Sequence, residues 1–425
     1  MRDLLLIDFP NLFYINYYNL YRLRRVAQNH KRFNAVDMSL NSTLYFDYAA
    51  TTPLDKEVLD AMLPFLTSEY GNANSAHHLG QRAKVIVEDA REQIAEIIGA
   101  KPSEIIFTSG GTESDNAVIQ GVMALAGNKN ELVTSPGEHH AVLHPIEISK
   151  MKGFKPVMAP LNEDGIVDLE TLEEHITDKT CLVSLMHVNN EIGSVNDIKK
   201  LSDLCHERGI LFHTDAVQSL GKIPVNIQEL GVDFLSGSAH KIYGPKGIGL
   251  MYVRNGSRWM PWLTGGSQER RRRGGTTNVP GVIGFAKALE ITTRTMEQQL
   301  KTYQGLNEHL LRELKTHLYA CEWEINGKPG VHHITNFCFQ NSEKRGIDGE
   351  MLLLNLDIEG ICVSNGSACT SGAVEPSHVL LALGRDAEQA NSSIRISFGK
   401  HTTKEDISRL VLSLESVLAR MFTLV

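Results

Sequence analysis

The sequence predicts an α/β fold in which helices cover a mostly parallel sheet. An apolar run at 104–108 is followed by the small-residue turn Ser109-Gly110-Gly111-Thr112 and by a helical stretch from Glu113, which together form a strand, a tight turn and a helix. Short apolar runs recur at 181–188, 210–213, 234–236 and 248–253, and a helical stretch at 197–208 separates two of them. This alternation is typical of a parallel sheet.

The length and the later segments predict two domains. The chain has 425 residues, more than the roughly 250–300 at which a single core usually stops growing. Apolar residues recur at helical spacing over 83–97, with Gly99 placed to end the helix, and a long polar helical pattern at 292–315 leads into a second, α+β region. We expect a large domain at 58–298 and a small domain formed by 38–57 together with 299–425.

Residues 1–37 differ from the rest of the sequence. They contain seven of the 28 aromatic residues and have a net charge of +3, whereas the whole chain has a net charge of −8. Asp8 and Pro10 interrupt the apolar run that a secretory signal requires, and the stretch has acidic residues and no serine, unlike a mitochondrial presequence. We therefore expect residues 1–37 to be an extension outside the fold and Met38 to be the natural start.

Charge and cysteine content exclude several classes of protein. With 42 basic and 50 acidic residues, the chain has no general attraction for nucleic acid or anionic membranes, so we expect neither as a partner. Its six cysteines include no C-x-x-C pair, which argues against a disulfide framework and against a zinc site. We expect no metal, and we expect a reducing, cytoplasmic location.

Three places at predicted strand ends have residues suited to one cofactor, because ligands of open α/β sheets bind beyond the carboxyl ends of the strands. Gly110-Gly111-Thr112 precedes a helix and could hold a phosphate, or be a plain tight turn. Asp215 could be a buried anion or a turn cap, and Lys241 could be an imine-forming amine or a solvated surface lysine. Pyridoxal phosphate requires a phosphate cup, an anion for its pyridine nitrogen and a lysine.

Two further residues are candidates for substrate chemistry. Cys369 lies among glycine, serine and asparagine residues, which favours an accessible loop; it could be a nucleophile or an incidental loop residue. The other five cysteines mostly have apolar neighbours and are expected to be packed. Arg395 lies in a strand-like alternation and could hold an α-carboxylate, although a surface salt bridge is the usual role of a lone arginine. The run 270–273 of four arginines favours a loop or subunit contact.

The sequence resembles the cysteine desulfurases of the class V aminotransferase group, which are pyridoxal-phosphate enzymes of fold type I. The likeness covers roughly residues 44–420 and rests on an ordered set of motifs. These are Asp47-Tyr48-Ala49-Ala50-Thr51-Thr52-Pro53, residues 109–116, Glu138-His139, His187-Val188-Asn189-Asn190-Glu191, Asp215 with Gln218, Ser238-Ala239-His240-Lys241, residues 265–276, Ser367-Ala368-Cys369-Thr370-Ser371 and Ser392-Ser393-Ile394-Arg395. The resemblance implies a seven-stranded type of sheet in a large cofactor domain.

The resemblance also implies roles for single residues. Lys241 would bind the cofactor covalently, Asp215 would pair with the pyridine nitrogen, and His139 would stack on the ring. Asn190 and Gln218 would contact the phenolic oxygen and hold substrate. The phosphate cup would consist of Gly111, Thr112, Ser238 and His240. Thr276 would reach the phosphate of the neighbouring subunit, which implies a homodimer with shared sites.

The activity implied is the conversion of L-cysteine to L-alanine. Arg395 would hold the substrate carboxylate, Lys241 would remove the Cα proton, and Cys369 would take the sulfur as a persulfide, with His139 as a candidate base for a thiol. The loop around Cys369 and Glu375-Pro376-Ser377 resemble the subgroup that serves iron–sulfur cluster assembly, so a sulfur acceptor or iron–sulfur scaffold protein is an expected partner. Open alternatives are a class V aminotransferase, a selenocysteine lyase and a catalytically silent scaffold.

Overall fold

The computed structural model describes residues 43–319, 321–339, 347–365 and 375–423. The predicted extension 1–37 and Met38 lie outside the described residues. By its internal contacts, Leu44–Val425 is one compact unit. The predicted division into domains at 57/58 and 298/299 is therefore kept as a prediction.

Helices and strands alternate along the first two thirds of this unit. The α-helices of the described residues are α1 (Lys56–Thr67), α2 (His78–Ile98), α3 (Gly111–Met123), α4 (His140–Ile148), α5 (Leu169–His175), α6 (Ile198–Glu207), α7 (Ile227–Leu230), α8 (Val279–His317), α9 (Gly349–Ile358), α10 (His378–Ala382), α11 (Ala387–Asn391) and α12 (Lys404–Thr423). The strands are β1 (Leu44–Tyr45), β2 (Ile105–Thr108), β3 (Glu131–Thr134), β4 (Lys155–Met158), β5 (Thr180–Ser184), β6 (Leu211–Asp215), β7 (Phe234–Ser238), β8 (Gly249–Val253), β9 (Trp323–Ile325), β10 (Ile334–Phe339), β11 (Ile361–Cys362) and β12 (Ile394–Ser397).

The main sheet has seven strands in the order β2-β8-β7-β6-β5-β3-β4. Strand β8 is antiparallel to both β2 and β7, whereas the remaining pairs are parallel. The prediction of an α/β fold with a mostly parallel sheet is thus confirmed. Because the parallel strands share one direction, the chain leaves the sheet at the same edge after β3, β5, β6 and β7, and this edge carries the candidate site.

Apolar cores lie on both faces of this sheet. Side chains alternate between the faces of a strand, so the adjacent residues Ile105 and Ile106 belong to two different clusters of buried residues. Helix α3 packs in the cluster of Ile106, and parts of α2, α6 and α8 pack in the cluster of Ile105. A sheet buried on both faces explains why its strands are short, continuous apolar runs rather than alternating ones.

A second, antiparallel sheet of three strands has the order β12-β10-β9. It shares an apolar cluster with the end of α8 and with α9 and α12. The same cluster includes Leu44 and Phe46, and β1 pairs in parallel with β11. The segment after Phe46 therefore leads from this C-terminal core to the main sheet.

Most predicted elements are found close to their predicted positions, although several begin or end at other residues, and α2 begins at His78 rather than 83. Helix α3 begins at Gly111, two residues before the predicted Glu113. Helix α8 begins at Val279, not at 292, because the Asn278 side chain caps it and its first half is apolar and buried. Strand β5 ends at Ser184 instead of 188, although the His187 N–H still donates to the Asp215 carbonyl at 2.9 Å. Gly99 ends α2 in the left-handed conformation, as predicted.

The arginine-rich loop at 270–273 is fastened to the main sheet. Glu269 just before it accepts two hydrogen bonds of 2.8 Å from the buried Arg91 and one of 3.0 Å from the Phe107 N–H of β2. Arg273 donates to Glu113 at 2.7 and 2.9 Å, and Arg270 pairs with Glu88. The arginines are therefore engaged in a loop contact, one of the two roles that the sequence favoured.

We expect Glu269→Gln to lower the free energy of unfolding by about 1–3 kcal/mol, since it removes one of the two carboxylates paired with the buried Arg91 and leaves only Glu88. The Arg91 and Glu269 side chains are only 3% and 6% exposed, so water cannot replace the lost partner. Urea denaturation followed by circular dichroism measures the effect. Glu297→Gln, in an exposed pair with Lys301, is the control and should change little. Equal effects of both substitutions would contradict the assigned role of the buried pair.

Candidate active site at the carboxyl edge of the main sheet

Asp215 places a buried carboxylate at the end of β6. Its side chain is 6% exposed, and its Oδ1 accepts a hydrogen bond of 2.8 Å from the Val217 N–H. Burial raises the pKa of Asp215 to about 6, against the opposing effects of the Val217 N–H and of Lys241. A cationic group bound next to this carboxylate would be strongly favoured, because it would restore the charged form.

Lys241 directly follows β7 in a single 3-10 turn, Ala239–Lys241. Its Nζ donates hydrogen bonds of 2.7 Å to the carbonyls of Ala49 and Ala50. Burial, and next the positive charge of Arg395, lower its pKa from 10.5 to about 8, although Asp215 and Asp47 act in the opposite direction. Near neutral pH, a much larger fraction of Lys241 than of an ordinary lysine is therefore neutral and nucleophilic.

A groove beside Lys241 collects hydrogen-bond donors. It is lined by Ala50, Thr51, Ser109, Gly110, Gly111, Thr112, Glu113, Ser238, His240, Lys246 and Gly247. The N-terminus of α3 opens into it with no side-chain cap, which leaves backbone N–H groups and a positive dipole end for an anion. A Cβ on Gly111 would lie 2.6 Å from Cγ2 of Val217, so only glycine allows this close approach to the loop after Asp215.

His240 and His139 are held as neutral imidazoles at this site. His240 Nδ1 is 3.1 Å from the Thr51 hydroxyl, and burial with Lys241 and other lysines nearby lowers its pKa to about 4. The backbone N–H of Ala141 donates to His139 Nδ1 at 3.1 Å, because His139 caps α4. Burial by surrounding protein and then the charge of Lys241 lower the pKa of His139 to about 4, although part of the residue is exposed to solvent. His139 is therefore a weak proton acceptor at neutral pH.

Gln218 is tied to the same carbonyl as Lys241. Its Nε2 donates to the Ala49 carbonyl at 2.8 Å, and its Oε1 accepts from Lys222 Nζ at 2.7 Å. The Gln218 side chain is thereby fixed within one hydrogen-bonded group that includes the active-site amine.

Arg395 of β12 reaches the site from the second sheet. One terminal nitrogen is 2.6 Å from Asp47 Oδ1, and the other donates to the Asn190 carbonyl at 3.0 Å. Its Nε is buried, and the described residues offer it no hydrogen-bond partner. Arg395 is therefore held in place while its Nε–H is left without a partner among the described residues, and the Asn190 backbone lies beside it.

Two predicted residues are not found with this group. Cys369 lies outside the described residues. Thr276 is exposed and borders a neighbouring groove that shares only Ser109 and Gly247 with the groove beside Lys241. Within one chain, Thr276 thus does not line the groove beside Lys241.

The other cysteines are packed thiols. Cys181, Cys205 and Cys338 are buried, and Cys321 and Cys362 are half-buried. Burial raises the pKa of all five, to about 11 for Cys181 and Cys338 and about 12 for Cys205. A thiol with a raised pKa is rarely ionised and is a poor nucleophile.

Two features of the site were not predicted from the sequence. The carbonyls of Ala49 and Ala50 bind Lys241, and backbone acceptors have no signature in side-chain identity. The amine of Lys222 binds Gln218. Lys222 lies four residues after Gln218, a spacing that could have indicated a contact, but the neighbouring Gly221 and Pro224 indicate an exposed turn. Among the described residues, no group of three or more His, Cys, Asp or Glu side chains is arranged to hold a metal ion.

Comparison with known proteins places this arrangement in a family. The model of the class V aminotransferases matches residues 44–410. The chain belongs to the class V aminotransferase family. It is 46% identical over 382 residues to cysteine desulfurase IscS of Dictyoglomus turgidum, covering 90% of this chain and 96% of that protein. It is 40% identical to cysteine desulfurase IscS of Clostridium botulinum, covering 89% and 95%.

Solved structures agree with this membership. A NifS-like protein superposes with a TM-score of 0.82 at 37% identity, covering 89% of this chain and all of that one. SspA in complex with cysteine superposes with a TM-score of 0.72 at 33% identity, covering 85% and 100%. The family and the fold type that the sequence motifs indicated are confirmed.

The residues present at the edge of the sheet fit pyridoxal phosphate. The groove at the start of α3 offers donors to a phosphate, Asp215 offers a carboxylate whose charged form needs a cation, and Lys241 offers an amine with a lowered pKa.

No helix of the described residues has the length and apolar character needed to cross a membrane.

The lowered pKa of Lys241 predicts the pH dependence of cofactor attachment. Because only the neutral amine forms a covalent bond with an aldehyde, we expect the rate at which pyridoxal phosphate attaches to the cofactor-free protein to rise with pH, with a midpoint near 8. Stopped-flow absorbance measures the rate, and mass spectrometry after borohydride reduction identifies the residue. Lys241→Ala is the control that should not attach. A midpoint close to 10.5, the ordinary value for lysine, would contradict the assignment.

Proposed function

We propose that this protein is a pyridoxal-phosphate-dependent cysteine desulfurase that converts L-cysteine to L-alanine and transfers the sulfur to Cys369 as a persulfide. The observation that carries the proposal is the meeting of Lys241, Asp215 and Arg395, from both sheets. Lys241 binds the carbonyls of Ala49 and Ala50, and the charges of Arg395 and Asp215 both act on its pKa. The relatives named cysteine desulfurase, at 40–46% identity over most of the chain, support the same activity.

The cofactor would be held at both ends. Gly111, Thr112, Ser238 and His240 would bind the phosphate, and Asp215 would keep the pyridine nitrogen protonated. His139 and Gln218 lie on segments that border the same space and would contact the ring and its phenolic oxygen. When bound, pyridoxal phosphate supplies an electron sink that stabilises negative charge at the substrate Cα. Lys241, with its pKa near 8, would carry the proton to and from that atom.

Arg395 would bind the substrate carboxylate with the support of Asn190. Its guanidinium is fixed by Asp47 and by the Asn190 carbonyl, and its Nε–H has no partner among the described residues. A buried donor without a partner is costly, so a carboxylate that accepts from it would gain binding free energy. SspA, which resembles this chain, has been solved in complex with cysteine, an amino acid with such a carboxylate.

Cys369 would be the nucleophile toward the substrate sulfur. Its thiolate would form a sulfur–sulfur bond while the bond from sulfur to the substrate Cβ breaks, and the electron pair left on the carbon skeleton would take up protons to give alanine. The persulfide would then pass to a sulfur acceptor, for which we propose a protein of iron–sulfur cluster assembly. The five other cysteines are poor candidates because burial raises their pKa.

A homodimer is the proposed assembly, with Thr276 completing the phosphate cup of the neighbouring subunit. Thr276 is exposed, and α1 presents Leu59, Leu63 and Leu66 to solvent at 43%, 50% and 55% exposure. Apolar side chains at helical spacing that remain exposed are typical of a subunit interface. A cytoplasmic location remains part of the proposal.

Incubation with L-cysteine tests the activity directly. We expect equal amounts of alanine and sulfide from the wild-type protein in the presence of a thiol reductant. Cys369→Ala should abolish sulfide release and leave the visible absorbance of the bound cofactor intact, whereas Cys321→Ala should retain both. Sulfide production by Cys369→Ala would refute the persulfide role. Preference for selenocysteine would favour a selenocysteine lyase, amino-group transfer without sulfide a simple aminotransferase, and absence of cofactor absorbance a silent scaffold.

Arg395→Lys tests carboxylate binding. Lysine keeps the positive charge but cannot offer the fixed fork of donors, so we expect the KM for L-cysteine to rise about tenfold, the effect of losing a charge-assisted hydrogen bond, with a smaller change in kcat. Steady-state alanine formation gives both constants. Arg409→Lys, on α12, is the control. An unchanged KM would remove Arg395 from the substrate site.

A further inference from the structure

Lys222 is an interior lysine to which no step of the proposed reaction assigns a role. It follows Gly221, which has φ of 71°, and its half-buried side chain lines an internal cavity together with Lys241, His333 and Tyr303. Its Nζ donates to Gln218 Oε1 at 2.7 Å. Among the described residues, no carboxylate forms an ion pair with it.

An interior amine without an acidic partner is costly to the folded state. Burial, and next the positive charges of Lys241 and Arg395, lower the pKa of Lys222 to about 7. Nearby His333 is buried, and neither of its ring nitrogens has a partner among the described residues. Lys400 and Asp55 also line the cavity, but they pair with each other. The surroundings therefore do not stabilise the charge of Lys222, and its contact with Gln218 is the interaction that remains.

That contact determines which end of the Gln218 amide faces the active site. The carbonyl of Ala49 can only accept a hydrogen bond, and the Lys222 amine donates one to Oε1, so one orientation of the amide satisfies both neighbours. The NH2 group then points toward Ala49, whose carbonyl also binds Lys241. An NH2 group has two N–H bonds; one goes to Ala49, and the second is left for a ligand.

We propose that Lys222 is a positioning residue that holds the Gln218 amide with its NH2 group toward the cofactor side of the site. The inference rests on the proposed function, because it requires that Gln218 donate to an oxygen of pyridoxal phosphate. A reversed amide would present its own oxygen to the cofactor oxygen, which would repel it. Lys222 thus contributes to cofactor binding without touching the cofactor.

A double-mutant cycle on Lys222 and Gln218 tests the proposal through cofactor affinity. Lys222→Met keeps the length of the side chain and removes the donor. We expect it to weaken binding of pyridoxal phosphate to the cofactor-free protein about tenfold, the effect of one charge-assisted hydrogen bond. Lys222→Arg should restore most of the affinity. In a Gln218→Met background, Lys222→Met should change affinity less than about twofold, because the residue it acts through is gone.

Further measurements separate positioning from a structural or purely electrostatic role. The thermal unfolding midpoint of the cofactor-free Lys222→Met protein should not fall below that of the wild type, since the substitution removes an interior amine that has no carboxylate partner among the described residues. Lys200→Met, at an exposed ion pair with Asp197, is the control and should bind the cofactor normally. If Lys222→Met does not fold, Lys222→Gln takes its place in the same cycle.

Unchanged affinity in Lys222→Met would overturn the proposal. Losses in affinity that simply add in the double variant would overturn it as well, because they would show that Lys222 acts independently of Gln218. Failure of the wild-type protein to bind pyridoxal phosphate would instead overturn the proposed function. The two kinds of failure are therefore distinguishable.

Discussion

The contact between Lys241 and the carbonyls of Ala49 and Ala50 connects the parts of this molecule on which its chemistry depends. The segment that carries these carbonyls leaves the C-terminal core at Phe46 and crosses to the end of β7. Ser397 of β12 accepts from the Ala49 N–H at 2.9 Å, and Thr52 binds the His240 carbonyl on the other side. One short stretch of backbone therefore sets the position of the reactive amine relative to both sheets.

The charges at this junction are balanced against one another. The positive charge of Arg395 lowers the pKa of Lys241, and the negative charges of Asp215 and Asp47 act in the opposite direction. Because all of these groups are largely buried, water screens them weakly and their mutual effects are large. The result is an amine with a pKa near 8 next to an acid with a pKa near 6. Both pKa values lie close to neutral pH, where each group can gain or lose a proton.

The sequence predicted the sheet and its strand–turn–helix units better than it predicted the contacts between them. Asp215 and Lys241 could be placed at strand ends because apolar runs mark buried parallel strands. The start of α8 was missed, since a buried amphipathic first half preceded the polar pattern that marked the helix. The role of Lys222 was missed because Gly221 and Pro224 suggest an exposed turn, and its burial depends on packing against residues distant in sequence. The Ala49 and Ala50 carbonyls could not be found, because any residue provides a carbonyl.

Polar atoms without partners also mark this edge of the sheet. In the described part of the chain, buried side-chain atoms without a hydrogen bond include Arg395 Nε, Asp115 Oδ1, Glu138 Oε2, His187 Nδ1 and Thr214 Oγ1, each on a segment that borders the site. Burial raises the pKa of Asp115 and of Glu138 well above the ordinary value, and the negative charge of Asp215 acts in the same direction. Each such atom costs folding free energy. Buried atoms of the same kind also lie elsewhere, at Gln268, Gln299, His333 and Asn391, and the cores around Ile105 and Ile106 supply the stability that allows the fold to carry this cost.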